Sequence, residues 1–277
     1  MPSNVRELLD SATKKLQIIS DQASSEAKIL LGFYLEKELL WLMTHEAETV
    51  EHPEGFLKLV RRRVAGEPIE YITNKVSFYS VEFYAAPGAL IARPETEILI
   101  DKVLEQLPRD FRGHIVEVGV GSGVISIILA KHLPSATFSA VDISVEALKV
   151  AKINIERFNL EDRIKLYKGD LLTPIKSNID MLVSNPPYIE EGVLLARSLD
   201  YEPQNALFGG RVGDEILKRL IDEATLRQIP LVACEMGYDQ KKSINNYIHI
   251  KKRYNIEFYK DLADFDRGFV MKWREDA

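Results

Sequence analysis

Two short segments carry residue types that suit chemistry better than packing. The first is Asn185-Pro-Pro-Tyr188, placed directly after the apolar run Met181-Leu-Val-Ser184. The side-chain oxygen of Asn185 and the backbone carbonyl of Pro186 can each accept one hydrogen of a planar NH2 group. Such a nitrogen is a poor nucleophile, because its lone pair is delocalised by the resonance that flattens an amide. Two accepted hydrogen bonds would turn that lone pair toward an electrophile. Pro186 and Pro187 stiffen the backbone that does so, and the ring of Tyr188 offers a flat face for the planar group. No strong base is required, since the proton becomes acidic as positive charge develops on nitrogen and the carbonyl dipoles stabilise that charge.

The second segment is Glu117-Val118-Gly119-Val120-Gly121-Ser-Gly123, where a strand pattern gives way to a helix pattern. Alternating glycines let the backbone approach a ligand closely, and the following helix N-terminus offers N–H groups to a carboxylate. Val124 stands where a dinucleotide fingerprint wants glycine, so the expected ligand has no pyrophosphate. S-adenosyl-L-methionine fits: it has a carboxylate on its methionine end. Asp142, at the end of the next strand pattern, is placed to accept both ribose hydroxyls. Glu117 is placed for the ligand's ammonium, directly or through water, and Asp170-Leu171 for the adenine amine and ring face.

The elements that must position these segments follow from periodicity. From about Val5 to Ala65 apolar residues recur at helical spacing, which predicts a small helical bundle. Its last helix opens at Pro53 and stops at Gly66, with Pro68 forbidding continuation. Residues 76–84 are rich in aromatic and β-branched types, and Ala89–Ala92 follow the turn signal Pro87-Gly88, which predicts a β-hairpin linker. After Pro94 strands and helices alternate, implying a doubly wound, Rossmann-like parallel α/β sheet. Strands one and four of such a sheet are neighbours, so the glycine loop and Asn185 should meet in one crevice. The last two strand patterns, near Ile256–Tyr259 and Phe269–Trp273, lie too close for a crossover helix and should pair antiparallel. The expected division is therefore residues 1–73, a helical domain for partner recognition; 74–93, the hairpin linker; and 94–277, the catalytic domain.

Composition sets limits on the partners. The 277 residues are 46% hydrophobic and 28% charged, the balance of a globular protein with a sizeable core. A net charge of −6 disfavours a surface that tracks phosphates, so no direct, specific nucleic-acid binding is expected. The clusters Arg61–Arg63 and Lys251–Arg253 read as solvated helix faces. The single cysteine, Cys234, falls in a buried strand pattern and reads as core packing, which excludes a disulfide within the chain. The histidines show no ligand spacing, so no metal is expected. With no apolar leader or membrane-length run, a cytoplasmic protein is expected.

With both segments in view, the chain resembles the bacterial release-factor glutamine methyltransferases, the HemK/PrmC family. The resemblance is also carried by Gly66-Glu-Pro-Ile-Glu-Tyr71, Leu90-Ile-Ala-Arg-Pro-Glu-Thr-Glu97, Tyr201-Glu-Pro203 and Asp266-Arg-Gly268. It implies a helical N-terminal domain joined by a β-hairpin to a catalytic domain. It further implies methylation, from S-adenosyl-L-methionine, of the glutamine in the Gly-Gly-Gln loop of class-one peptide chain release factors. Carried over residue by residue, Asn185, Pro186, Pro187 and Tyr188 would bind the glutamine. Glu117, Val118, Gly119, Val120, Gly121, Asp142, Leu171 and Asn185 would form the cofactor pocket. The chain departs from the family pattern at Glu117, where Asp is commoner, and at Ala92, where proline is usual. It also lacks a Gly-Gly pair around Leu226–Pro230. Arg93 and Glu97 are expected to pair and hold the linker over the site. Two other substrates pose the same problem to Asn-Pro-Pro-Tyr: the exocyclic amine of DNA adenine, which the acidic charge disfavours, and a ribosomal-protein glutamine. A silent binding module is the third alternative, opposed by intact Asn185 and Asp142.

Overall fold

The computed structural model describes residues 3–274 and forms two compact units, one of residues up to Lys75 with Ala196–Tyr201, the other of Val76–Leu195 with the chain from Glu202. Residues 1–2 and 275–277, the outermost ends of the expected domains, lie outside the described residues.

The first unit is the expected bundle: α1 (Val5–Leu16), α2 (Ala23–Leu35), α3 (Leu39–Thr44), α4 (Glu54–Val64) and α5 (Ile69–Thr73). Asn4 begins α1 with a capping box: its side chain accepts from the Glu7 N–H, and its own N–H donates to the Glu7 carboxylate. Leu8, Ala12 and Leu16 of α1, Ala27, Leu30 and Leu31 of α2, and Phe56 and Val60 of α4 close one core. Pro53 and Gly66 do bound α4, but a further short helix, α5, starts straight after Pro68. The arginine cluster is more than a solvated face. The Arg63 guanidinium grips the Glu26 carboxylate through two hydrogen bonds, of 2.8 and 3.0 Å, and fastens α4 to α2.

Past the first unit, whose last residue before Val76 is Lys75, the hairpin is formed by β1 (Lys75–Phe78) and β2 (Val81–Tyr84). The expected turn at Pro87-Gly88 is not its turn, and Ala89–Ala92 form no strand. The chain reverses at Tyr79-Ser80, where φ is 53° and 57°, the pattern of a two-residue type I′ loop. Neither residue favours that conformation, and tertiary contacts impose it. The Tyr79 N–H donates to Glu97, its hydroxyl donates to Asp101, and its ring meets His132 edge-on.

The elements that follow are α6 (Glu95–Leu104), β3 (His114–Val118), α7 (Val124–His132), β4 (Thr137–Asp142), α8 (Val145–Arg157), β5 (Ile164–Lys168) and β6 (Met181–Ser184). Then come α9 (Glu215–Leu226), β7 (Leu231–Glu235), α10 (Lys241–Lys251), β8 (Tyr254–Lys260) and β9 (Asp266–Trp273). The seven-stranded sheet has the order β8-β9-β7-β6-β3-β4-β5. β3 lies parallel between β4 and β6, so the first and fourth strands of the alternating pattern are neighbours, with Val118 opposite Ser184. β9 runs antiparallel between β7 and β8, which makes the last strand pair antiparallel as its short connection requires. Cys234 is fully buried in β7, and burial pushes its thiol up out of the range where it would react.

Candidate active site

The site is assembled where β3, β4 and β6 end. At the close of β3 the chain turns through Gly119, Gly121 and Gly123, with φ of 74°, 52° and 86°. A side chain would be strained at each, and at Gly121 the space beyond is open. The loop is held from below: the N–H groups of Gly119 and Val120 both donate to the Val141 carbonyl. From the side it is held by Asn154, a fully buried residue of α8. The Asn154 amide donates to the Ser122 and Tyr84 carbonyls and accepts from the Tyr84 N–H. One side chain thus fixes the glycine loop against the hairpin.

Asp142, at the end of β4, accepts from the Gly121 N–H through one oxygen and from the Ser144 N–H through the other, each at 2.9 Å. A carboxylate can accept about four hydrogen bonds, so Asp142 keeps accepting capacity for a ligand hydroxyl. Burial raises the Asp142 pKa, while the backbone N–H groups of Ser144 and Gly121 oppose that rise. β6 meets the glycine loop through Ser184, whose hydroxyl donates to the Val118 carbonyl at 2.7 Å, and then gives way to Asn185.

Between these loops lies a cavity of about 340 Å³. Val118, Gly119, Gly121, Asp142, Asp170, Leu171, Asn185, Pro186 and Pro187 line it. Ala89, Leu90, Pro203, Asn205, Ala206 and Phe208 line it as well, so chain segments remote in sequence complete the wall. The donor set suits S-adenosyl-L-methionine: a glycine loop open at Gly121, a carboxylate with free lone pairs, and apolar walls for an adenine ring. Asp170 does face the cavity, but its carboxylate is engaged by Arg219 at 2.6 Å.

Three of the expected residues are not on the cavity wall. Val120 is buried in the loop. Glu117 turns beneath it, where its carboxylate accepts from the N–H and the hydroxyl of Ser126. Burial there pushes its pKa up to about 8. Tyr188 points its hydroxyl to Glu235, at 3.0 Å. The Arg93–Glu97 pair does not form. Arg93 pairs with the buried Glu202, whose second oxygen accepts the Ile91 N–H, so it is Glu202 that ties the 89–93 segment to the Pro203 side of the cavity. Glu97 is taken by the hairpin turn.

Several residues behind the wall escaped sequence reasoning. The Asn185 amide nitrogen donates to the Thr96 hydroxyl at 3.0 Å, and that hydroxyl donates to Glu235 at 2.8 Å. Gln240 donates to the Tyr188 carbonyl. Gly209 and Gly213 press on the Asn-Pro-Pro-Tyr loop: a Cβ on Gly209 would lie 2.4 Å from the Pro187 carbonyl oxygen, and one on Gly213 2.6 Å from that of Tyr188. The glycine spacing Gly209-Gly-x-x-Gly213 was the available signal for a close backbone approach. For Glu235 it was an acid at the carboxyl end of an apolar strand.

Comparison with known proteins agrees with this geometry. Residues 95–199 match the family model described as Methyltransferase small domain, and residues 7–73 the one described as PrmC N-terminal domain. A release factor glutamine methyltransferase of Koribacter versatilis is 40% identical, with 96% of this chain and 97% of that protein covered. Those of Dictyoglomus turgidum (38%; 99% and 100% covered) and Clostridium acetobutylicum (35%; 95% and 96%) are similar throughout. Among solved structures, a methyltransferase from Pyrococcus furiosus superposes with a TM-score of 0.52 at 21% identity, covering 70% of this chain and 89% of that one. The N-terminal domain of human METTL16 in complex with SAH gives 0.51 at 18%, covering 79% and 81%. These two share the fold. Relatives matched from end to end, together with a glycine loop, Asp142 and Asn-Pro-Pro-Tyr around one cavity, leave one conclusion: the chain belongs to the release factor glutamine methyltransferase family.

Proposed function

We propose that this chain methylates the side-chain amide nitrogen of the glutamine in the Gly-Gly-Gln loop of class-one peptide chain release factors, with S-adenosyl-L-methionine as donor. The observation that carries this reading is the placement of Asn185 and Pro186 on the wall of the cavity that the glycine loop and Asp142 also line. When bound, the cofactor supplies a methyl group on a sulfonium centre. The residues of the chain do the positioning. Asp142 offers its free lone pairs to the ribose hydroxyls, and the glycine loop leaves room for the methionine end. Asn185 Oδ1 and the Pro186 carbonyl each accept one hydrogen of the substrate NH2 group, which presents its lone pair to the methyl and stabilises the charge that develops. Tyr188 lends the loop a rigid base through Glu235 and Gln240.

The same reading keeps the chain in the cytoplasm and without direct nucleic-acid recognition. It is supported by the net charge of −6 and a single, buried cysteine. Among the described residues no helix is long and apolar enough to cross a membrane. The test is mass spectrometry of a bacterial release factor incubated with the protein and S-adenosyl-L-methionine. One added methyl on the Gly-Gly-Gln peptide is the expected result. Methylation of a ribosomal protein or of DNA adenine in its place would overturn the substrate assignment.

A further inference from the structure

Behind Asn185 lies a chain of hydrogen bonds whose direction bears on the reaction. The Asn185 amide nitrogen, the Thr96 hydroxyl and one Glu235 oxygen are linked in series, and the other Glu235 oxygen accepts from the Tyr188 hydroxyl. Glu235 and Thr96 are both buried. Neither lines the cavity, and the methyl-transfer scheme above gives them no chemical step.

The direction of the series is set by charge. An ionised carboxylate has no hydrogen to give, so Thr96 must donate to it. The single hydroxyl hydrogen is then spent, and toward Asn185 Thr96 can only accept. Asn185 must therefore turn its NH2 group inward, and its oxygen is the atom left to the cavity. A neutral acid or an amide in place of the carboxylate can donate to Thr96, which frees the hydroxyl hydrogen and lets the Asn185 amide turn either way. With NH2 outward, Asn185 would repel the substrate NH2 group it has to hold.

We infer that Glu235, acting through Thr96, is a positioning residue that fixes the side-chain amide of Asn185 with its oxygen toward the substrate. The inference rests on the proposed function, since it concerns the acceptor for the substrate nitrogen. The surroundings of Glu235 make the control sensitive to pH. Burial pushes its pKa up to about 7, Thr96 and Tyr188 hold it down by hydrogen bonding, Arg267 of β9 favours its charge, and Glu95 of α6 opposes it. Tyr259, also facing it, is buried and stays neutral. Turnover should therefore rise as pH increases through the neutral range, as Glu235 ionises and the amide is locked.

The experiment compares wild-type protein, Glu235→Gln, Thr96→Val and Thr96→Ser for methylation of an intact release factor at about pH 6 and about pH 8.5, with cofactor affinity measured in parallel by calorimetry. The expected result at the higher pH is a loss of kcat of about tenfold or more in Glu235→Gln and Thr96→Val, the size expected when a positioned acceptor is lost. Thr96→Ser, which keeps the hydroxyl, should recover most of that loss, and Glu235→Gln should lose the rise with pH. Cofactor affinity should stay within about threefold in all of them, which shows a folded site. Equal kcat in Thr96→Val and Thr96→Ser, or a wild-type rate and pH profile in Glu235→Gln, overturns the inference while leaving the proposed function intact. No transfer by the wild-type protein overturns both.

Discussion

Asp142 and Asn185 lie on one cavity wall, and under the proposed function they would do separable work. Asp142 accepts from the Gly121 and Ser144 N–H groups and keeps accepting capacity for a ligand. Asp142→Ala should raise the cofactor dissociation constant by about 10- to 100-fold, the worth of hydrogen bonds to a charged group, as calorimetry would read. Unchanged affinity would mean the ribose is held elsewhere. Asn185→Ala should cut turnover by about 100-fold or more while weakening cofactor binding far less, because it removes an acceptor used only on the reacting nitrogen. Single-turnover kinetics beside the binding measurement separates the two. Near-normal turnover would remove Asn185 from the reaction. The position of both residues on one wall was legible in the sequence because each stands at the end of an apolar strand of an alternating α/β pattern, where the topology forces strand ends together. Glu235 carried the same strand-end signal, but its bond to Thr96 was not legible: the two are 139 positions apart, and only the packing of α6 on the sheet creates that bond.

At the level of elements, most strands and helices followed from periodicity, and the misses were turns decided by distant contacts. Tyr79 and Ser80 have no local preference for the left-handed region, and Glu97 and Asp101 hold them there. The Arg93–Glu97 pairing failed for the same reason, since the hairpin claims Glu97 and Glu202 claims Arg93. The Gly209–Gly213 segment offers a test at this level. A methyl at Gly209 would collide with the Gly213 and Pro187 carbonyl oxygens, at 2.2 and 2.4 Å, so Gly209→Ala must push the Asn-Pro-Pro-Tyr loop aside. Displacement of about 1 Å can cost on the order of 100-fold in rate, and kcat should fall by that order with cofactor affinity little changed. A wild-type kcat in this variant would show that the loop's position does not depend on that contact.

The molecule as a whole carries two buried acids that resist ionisation, Glu117 with a pKa of about 8 and Glu235 with one of about 7, both raised chiefly by burial. The unfolded chain ionises them near the ordinary carboxylate range. Their contribution to stability is thus complete below that range and is lost as pH rises through 7 and 8. The melting temperature should fall between about pH 6 and pH 9, and Glu117→Gln should flatten that fall. Calorimetric scans that show no fall would mean that the acids are already ionised in the fold. The sheet order has a consequence for how the enzyme comes into being. β9 is made after β8 yet lies between it and β7, and Arg267 arrives with it to face Glu235. On the ribosome, β7 therefore waits with an open edge, a template for wrong pairing, until β9 has emerged. A chain released before Arg267 would have its glycine loop and its Asn-Pro-Pro-Tyr segment already synthesised and no finished wall behind Asn185. Activity in this family member thus waits on β9, and termination ahead of that strand should yield aggregates in place of a slow enzyme.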